Sequence, residues 1–271
     1  MILLLGALPT LAQPIADLPA VASDMFRPSV GGGPFLVTES PPFDAGATGG
    51  LHLSWAREPL RIIVDGEGAP VVDNAVAVHL GARVAVGPLQ IGVAAPGYVV
   101  AQVDGNRTVL GDPTLDAKLA AHGERLGGGL FVRLGASLGA SAWQLGYPGP
   151  FADVGAIGDV ELGRVTVAAN VGIRVTPTLD LGEVVLDDAF WFRVAGRVEV
   201  TDRVEPALEI WGQRALMGTG PSVAPVEGLA QLCYRWPAGP ALHAGLGTGL
   251  TSGVGSPRWR AVAGVSLTTP R

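Results

Sequence analysis

The sequence predicts an all-β protein, a closed up-and-down antiparallel transmembrane β-barrel of about 12 strands. Apolar and polar residues alternate with a period of two from residue 51 onward, which is the period of a strand. The connections between these segments alternate between short and long. The polar face carries charges of both signs at mid-strand, whereas the opposite face is almost purely aliphatic.

Composition narrows the class of protein further. The 271 residues include 40 Gly and 22 Pro, too many for a helical bundle because both residues disfavour helix. Only 15% of residues are charged, and the mean hydropathy of +0.38 is too high for a disordered chain. A formal charge of −6 argues against nucleic acid as a partner. With one cysteine, Cys233, and four scattered histidines, we expect no disulfide, no metal site and no cofactor.

Twelve segments have the alternating pattern of strands. The clearest, residues 190–200, carries Phe192 and Val194 on one face and Arg193 and Arg197 on the other. An even number of strands fits a bacterial barrel whose two ends lie on the same side of the membrane. The predicted strands span residues 51–55, 76–86, 89–99, 115–122, 130–138, 156–162, 164–175, 190–200, 204–213, 226–236, 242–250 and 258–267.

The connections alternate in length along the chain. Short turns follow every even-numbered strand from the second to the tenth, and longer segments follow most odd-numbered strands. Outer-membrane barrels have short turns on the periplasmic rim and long loops on the outer rim, whereas a soluble sandwich has no reason to sort its loops. The long segments are predicted at residues 57–73, 103–111, 139–153, 176–188 and 215–222.

The charged residues of the polar face are predicted to line the lumen of the barrel. Turning a basic residue toward lipid at the bilayer midplane costs roughly 2–4 kcal/mol, so the charges fix the register of each strand. The alternative is a soluble β-protein with this face in water, but its core would be unusually rich in Ala and Gly. The predicted lumen residues are Arg83, Asp116, Lys118, Arg133, Glu161, Arg174, Arg193, Arg197, Glu199, Glu209, Glu227, Arg235 and Arg260.

The amino terminus predicts two further segments. Residues 1–12 form an apolar run that is shorter than the ~20 residues needed to span a bilayer as a helix. Such a run is typical of a secretory signal peptide, which we assign to residues 1–22. Residues 23–48 are rich in Gly and Pro and are interpreted as an irregular lead-in, lying in the periplasm or plugging the lumen. The barrel is then expected over residues 49–268.

Residues 110–118, Leu-Gly-Asp-Pro-Thr-Leu-Asp-Ala-Lys, together with residues 55–60 and 246–253, carry a family resemblance. Over residues 26–268 the chain resembles the barrel portion of transporter-like and OmpA-family outer-membrane proteins of Gram-negative bacteria. The resemblance implies location in the outer membrane after export through the periplasm, with membrane lipid and the outer-membrane assembly machinery as partners. Many relatives carry a peptidoglycan-binding domain after the barrel and end the barrel in an aromatic residue. This chain ends at Arg271 with neither, so an anchoring role is not implied.

Three functions are compatible with such a barrel. The first is a passive pore or small-solute transporter. Barrels of about eight strands are filled by side chains and barrels of about sixteen leave an aqueous channel, so a pore of about twelve strands would be narrow or partly blocked. The second is a structural barrel that conducts nothing. The third is a membrane-embedded hydrolase, but the four histidines, His52, His79, His122 and His243, are isolated on polar strand faces. We therefore predict no enzyme and no catalytic residue. The near balance of charges in the lumen predicts little ion selectivity.

Overall fold

The described part of the chain consists of strands and their connections. Among these residues, no helix has both the length and the apolar character that crossing a membrane demands. The predicted signal peptide, apart from Ala22, lies outside them. The computed structural model describes residues 22, 24–29, 35–40, 46–64, 67–102, 105–138, 145–180, 185–217, 224–237 and 239–269.

Fifteen strands occur in these residues. β4 continues into β5 along the same neighbour, β3, so the two form one barrel strand, and β9 and β10 form a small separate hairpin. The barrel therefore has twelve strands, which confirms the prediction. The strands are β1 (Gly46–Val64), β2 (Glu67–Val86), β3 (Leu89–Gln102), β4 (Gly105–Leu110), β5 (Thr114–His122), β6 (Leu126–Gly135), β7 (Phe151–Leu162), β8 (Val165–Val175), β9 (Leu179–Asp180), β10 (Val185–Leu186), β11 (Ala189–Val198), β12 (Val204–Ala215), β13 (Val226–Arg235), β14 (Pro240–Gly249) and β15 (Trp259–Thr268).

The sheet closes on itself between its first and last strands. β1 pairs antiparallel with β15, for example Trp55 with Ala261, and also with β2, for example Leu51 with Leu80. All other barrel strands likewise pair antiparallel with a neighbour on each side. Closure leaves no open edge, and it satisfies the backbone hydrogen bonds of the sheet without water.

The two faces of the sheet separate as the alternating pattern predicts. An aliphatic side chain points outward and is exposed on every barrel strand, with Leu80 56% and Leu208 66% exposed. Apolar exposure of this extent is typical of a surface that contacts hydrocarbon. One such residue per barrel strand, in chain order, is Leu53, Leu80, Ile91, Leu115, Leu130, Val154, Val171, Val194, Leu208, Leu232, Leu246 and Leu267.

The connections sort onto two rims. The short-turn rim, as predicted, carries the brief connections at residues 87–88, 123–125, 163–164 and 199–203 and the one between β13 and β14. The opposite rim carries the longer connections and is called the long-loop rim.

The prediction of a loop at residues 57–73 is wrong. β1 and β2 continue as a ladder as far as the pair Val64 and Glu67, after a bulge at Glu58, whose φ is +49°. Beyond this bulge β1 has no other strand partner among the described residues. A local β-hairpin therefore replaces the loop, and apart from Val72, which also pairs with Gln102 of β3, the residues that extend it pair with each other. β4 similarly replaces most of the loop predicted at residues 103–111.

Candidate functional site

Two stretches that precede β1 lie inside the barrel. Residues 24–29 and 35–40, here called the inner segment, contact inward-facing side chains of β2, β5, β8, β11, β12 and β15. Phe26, Phe35, Leu36 and Val37 are each at most 2% exposed. A segment that touches walls all round the ring occupies the lumen. β1 itself begins at Gly46, three residues before the expected boundary.

Asp24 and the start of β1 lie toward opposite rims of the barrel. Asp24 contacts Arg260, the second residue of β15, at the long-loop end of that strand. Gly46 begins β1 at the opposite rim, where it pairs with Ala85 beside the turn at residues 87–88. The described stretches before β1 therefore begin near the long-loop rim, and β1 itself begins at the short-turn rim.

Glu209 of β12 fixes the middle of the inner segment. Its carboxylate oxygens accept backbone N–H groups from Leu36 at 2.6 Å, Val37 at 3.0 Å and Thr38 at 2.7 Å. Gln231 of β13 donates to the same carboxylate at 2.9 Å. Hydrogen bonds to a charged group contribute about 1.5–3 kcal/mol each, so this buried carboxylate is a principal anchor.

Glu39 extends from the inner segment into a group of cations. Its carboxylate lies 2.9 Å from Arg83 Nη2, 3.1 Å from Lys118 Nζ and 3.8 Å from Arg133 Nη2. Asn170 of β8 holds the backbone of Glu39 in both directions, accepting its N–H and donating to its carbonyl, each at 2.7 Å. Charge and backbone position are thus both fixed at this residue.

Arg260 links the start of the inner segment to the wall. Its Nη2 donates to Asp24 Oδ1 at 2.8 Å, and its Nε donates to Glu227 Oε2 at 3.0 Å. The guanidinium carbon lies 4.9 Å from the centroid of the Phe26 ring. Arg260 is fully buried, so one cation compensates two carboxylates away from water.

A loop closes the lumen further toward the long-loop rim. Tyr147, in the β6–β7 connection, is buried, and its N–H donates to Asp112 Oδ2 at 2.8 Å. Arg27 of the inner segment lies 5.6 Å from the Tyr147 ring centroid and 5.5 Å from that of Phe151. Arg174 stacks on Tyr147 from the wall. Aromatic and guanidinium groups therefore fill this end of the barrel.

Most of the remaining charges predicted for the lumen pair within the wall. Glu161 and Glu199 lie near the short-turn rim and are partly exposed, whereas Arg193 donates to the backbone carbonyl of Val37 at 2.7 Å. The wall pairs are Arg133 with Asp116 at 2.7 Å, Arg174 with Asp153 at 2.6 Å, Arg197 with Glu205 at 2.8 Å and with Glu199 at 3.1 Å, Arg235 with Glu205 at 2.7 Å, and Arg260 with Glu227.

Four important carboxylates were missed among the predicted lumen residues. Asp153 and Glu205 lie in the polar register of their strands, so the alternating pattern could have found them. Asp24 and Glu39 lie in a segment without strand periodicity, and no local pattern indicates their role.

The histidines were expected to be isolated, but His52, His79 and His243 meet, so that expectation is wrong. His52 and His79 are register partners on β1 and β2, and the His52 ring lies 5.7 Å from that of His243. His79 Nε2 lies 3.1 Å from Ser54 Oγ, and His243 Nε2 lies 3.0 Å from Ser266 Oγ. These residues are distant in sequence but meet where the ring closes. Within the described ranges, no three His, Cys, Asp or Glu side chains are grouped to hold a metal ion.

Three cavities inside the barrel, two of them beside the inner segment, are small. Cavities of about 30, 50 and 10 Å³ lie beside Arg27 and His52, beside Tyr147, and beside Glu39. A water molecule needs about 10–15 Å³ of such space, so these cavities hold a few waters and no organic solute. Beside Arg27 and Glu39, the described residues of the inner segment therefore leave room for water only.

Comparison with known proteins shows the fold. No protein family and no curated protein matches the sequence. An outer-membrane channel from Pseudomonas putida F1 is similar in structure, with a TM-score of 0.66, 16% identity, and 84% of this chain and 97% of that chain covered. The NanC porin matches with a TM-score of 0.59, 8% identity, and coverage of 81% and 100%. The β domain of the Bordetella autotransporter BrkA matches with a TM-score of 0.52, 14% identity, and coverage of 83% and 100%.

These similarities assign the chain to a class of fold. It has the closed antiparallel barrel seen in outer-membrane channels and porins, and also in an autotransporter domain. Because one fold serves different functions, the function must be argued from the lumen.

Proposed function

We propose that this protein is a passive outer-membrane channel for small solutes, closed in the present state by its inner segment. The observation that carries the proposal is a charged lumen occupied by a part of the same chain whose described residues form no strand pairing with the wall. An apolar outer surface suits a bilayer. A ring of twelve strands is wider than the eight-stranded barrels that side chains fill, so departure of the segment would leave space for water along the charged interior.

The way the inner segment is held supports its movement. Among the described residues, it makes no backbone-to-backbone hydrogen bond with the barrel wall. Its anchors are side chains, chiefly Glu209, Arg260 and the cations around Glu39. It can therefore leave the lumen without breaking a strand ladder, whereas a strand of the barrel cannot.

Export through the periplasm is part of the same proposal. The apolar run at residues 1–12 supports a signal peptide, and membrane lipid and the assembly machinery would be the first partners of the exported chain. Membership of the OmpA family also remains a proposal, supported by residues 110–118.

Reconstitution into planar bilayers tests the channel. We expect rare, brief openings of the purified wild-type protein, because the inner segment occludes the lumen most of the time. Faster migration of the unboiled protein on a denaturing gel confirms that the barrel is folded. Folded protein that stays silent, both as wild type and with its inner segment loosened by Glu209→Gln, would contradict the proposal.

A structural, non-conducting barrel is the second candidate. The buried network of Arg260, Glu227 and Asp24 favours it, because such ion pairs tie the wall to the segment. Silence of every folded variant in the bilayer would select this function.

We propose no catalytic role for the lumen. The Ser54–His79 pair lies beneath the Phe26 ring, whose centroid is 5.3 Å from that of His79. His243 Nδ1 has no hydrogen-bond partner in the described part of the chain, so nothing orients that imidazole as a general base. Hydrolysis of lipid or peptide esters by wild type, lost in His79→Gln, would overturn this.

A further inference from the structure

We propose that the lumen contains a binding site for carboxylate solutes, which Glu39 of the inner segment occupies in the closed state. The inference rests on the proposed channel function and names the class of solute. The site, here called the carboxylate site, is formed by Arg83, Lys118, Arg133 and Arg193, with Asp116 paired to Arg133.

The pairing of charges in the wall singles out this site. Five lumen arginines have a carboxylate partner supplied by the barrel itself: Arg133, Arg174, Arg197, Arg235 and Arg260. Within the described residues, Arg83, Lys118 and Arg193 form no ion pair with any carboxylate of the wall. These three cations therefore depend on the inner segment.

Glu39 supplies the carboxylate that the described residues of the wall do not provide for these cations. Arg83 and Lys118 both bind its Oε2, and Arg193 binds the carbonyl oxygen of Val37, two residues earlier. The Lys118 ammonium also donates to the carbonyl of Ser40 at 2.8 Å. The side chains of Lys118 and Glu39 are each about 5% exposed, so the site is built and buried rather than formed at a surface.

Departure of the inner segment would leave these cations unpaired in the lumen. Their charges would then face the open lumen, where a solute carboxylate offers the charge and hydrogen-bond geometry of Glu39. Rings of Arg and Lys favour anions in pores. The near balance of lumen charges predicted little ion selectivity. In the described part of the structure, however, most lumen arginines are neutralised by carboxylates of the wall, whereas Arg83, Lys118 and Arg193 are not.

Solute and inner segment then compete for one site. A carboxylate that binds the open lumen prevents the return of Glu39 and shifts the population toward the open state. The segment thus acts as a tethered substitute for the solute.

Lys118 provides a direct reporter, because it is the only lysine of the sequence. An amine-reactive ester should label it slowly in the folded wild type, where Glu39 and Ser40 hold its ammonium group. In Glu39→Gln we expect labelling about tenfold faster, the factor for losing one charge-assisted hydrogen bond. Asp202→Asn, which also removes a carboxylate but in an exposed turn, is the control, and its Lys118 should be labelled at the wild-type rate. Peptide mapping separates Lys118 from the amino terminus.

Citrate is the probe for the vacated site. In Glu39→Gln, millimolar citrate should slow the labelling of Lys118 severalfold, whereas glycerol at the same concentration and ionic strength should not. Adding Arg83→Gln to Glu39→Gln should abolish the protection. Labelling that citrate leaves unchanged in folded Glu39→Gln would overturn the carboxylate site.

Bilayer recordings distinguish failure of this inference from failure of the channel. In a KCl gradient, Glu39→Gln should open with a reversal potential that favours anions, and Arg83→Gln in the same background should reduce the preference. Openings that show neither anion preference nor citrate protection would support the channel and contradict the carboxylate site. Citrate protection without openings would remove the channel and keep the site. If neither openings nor citrate protection is found, both the channel and the carboxylate site are rejected.

Discussion

Arg260 shows how much one buried side chain contributes to the stability of the folded barrel. It lies between Asp24 and Glu227 and has no exposed surface. Arg260→Met would leave two buried carboxylates without their cation, and breaking such a pair costs about 3–5 kcal/mol. Urea unfolding in lipid vesicles should show this loss. The matched variant Arg258→Met removes a side chain that is 69% exposed, and we expect a change of about 0–1 kcal/mol. Equal effects of both variants would contradict the assigned burial.

Glu209 is the residue that should set the occupancy of the lumen. In Glu209→Gln an amide replaces the carboxylate that accepts three consecutive backbone N–H groups, and its NH₂ group opposes those donors. We expect the open probability in planar bilayers to rise severalfold while the barrel stays folded. Glu124→Gln, in an exposed turn, serves as the control. An open probability equal to that of this control would show that Glu209 does not retain the segment.

At the scale of the element, β11 has its register fixed by the environments of its two faces. Arg193 and Arg197 point inward, and Val194 points outward at 46% exposure. Val194→Arg would place a cation on the apolar face at mid-strand, which costs about 2–4 kcal/mol at the bilayer midplane. Unfolding of the variant from vesicles measures the loss. Val200→Arg, next to the short-turn rim, should cost about 0–1 kcal/mol because the interface accepts charge. If both positions tolerate Arg equally, the apolar face does not contact lipid.

Elements differ in how far the sequence predicts them. Segment 190–200 is predicted well because an uninterrupted period of two defines its faces. The hairpin extension of β1 and β2 was missed, since Glu58, Pro59 and Gly68 have the composition of a loop and the pairing there is purely local. The inner segment has no period at all, so its position in the lumen follows only from partners such as Glu209, more than 170 residues away in sequence.

At the scale of the whole molecule, ring closure predicts unusual resistance to detergent. β1 and β15 pair over ten residue pairs from Thr48 to Arg57, so no strand is left as an edge that detergent could open. Protein extracted from membranes should migrate faster on a denaturing gel before boiling than after it. Identical migration of boiled and unboiled samples, from a preparation that is otherwise folded by circular dichroism, would contradict a closed barrel.

The sequence by itself determined the strands, the direction of their faces and the number of strands in the ring. These follow from a local period of two and from the high free energy of placing charge in hydrocarbon, both of which act within a single strand. Only the tertiary structure decided what lies inside the ring: the position of residues 24–29 and 35–40, the meeting of His52, His79 and His243, and the cations that bind Glu39. Those contacts join residues far apart in the chain, and they exist only after closure brings opposite walls within reach of one segment.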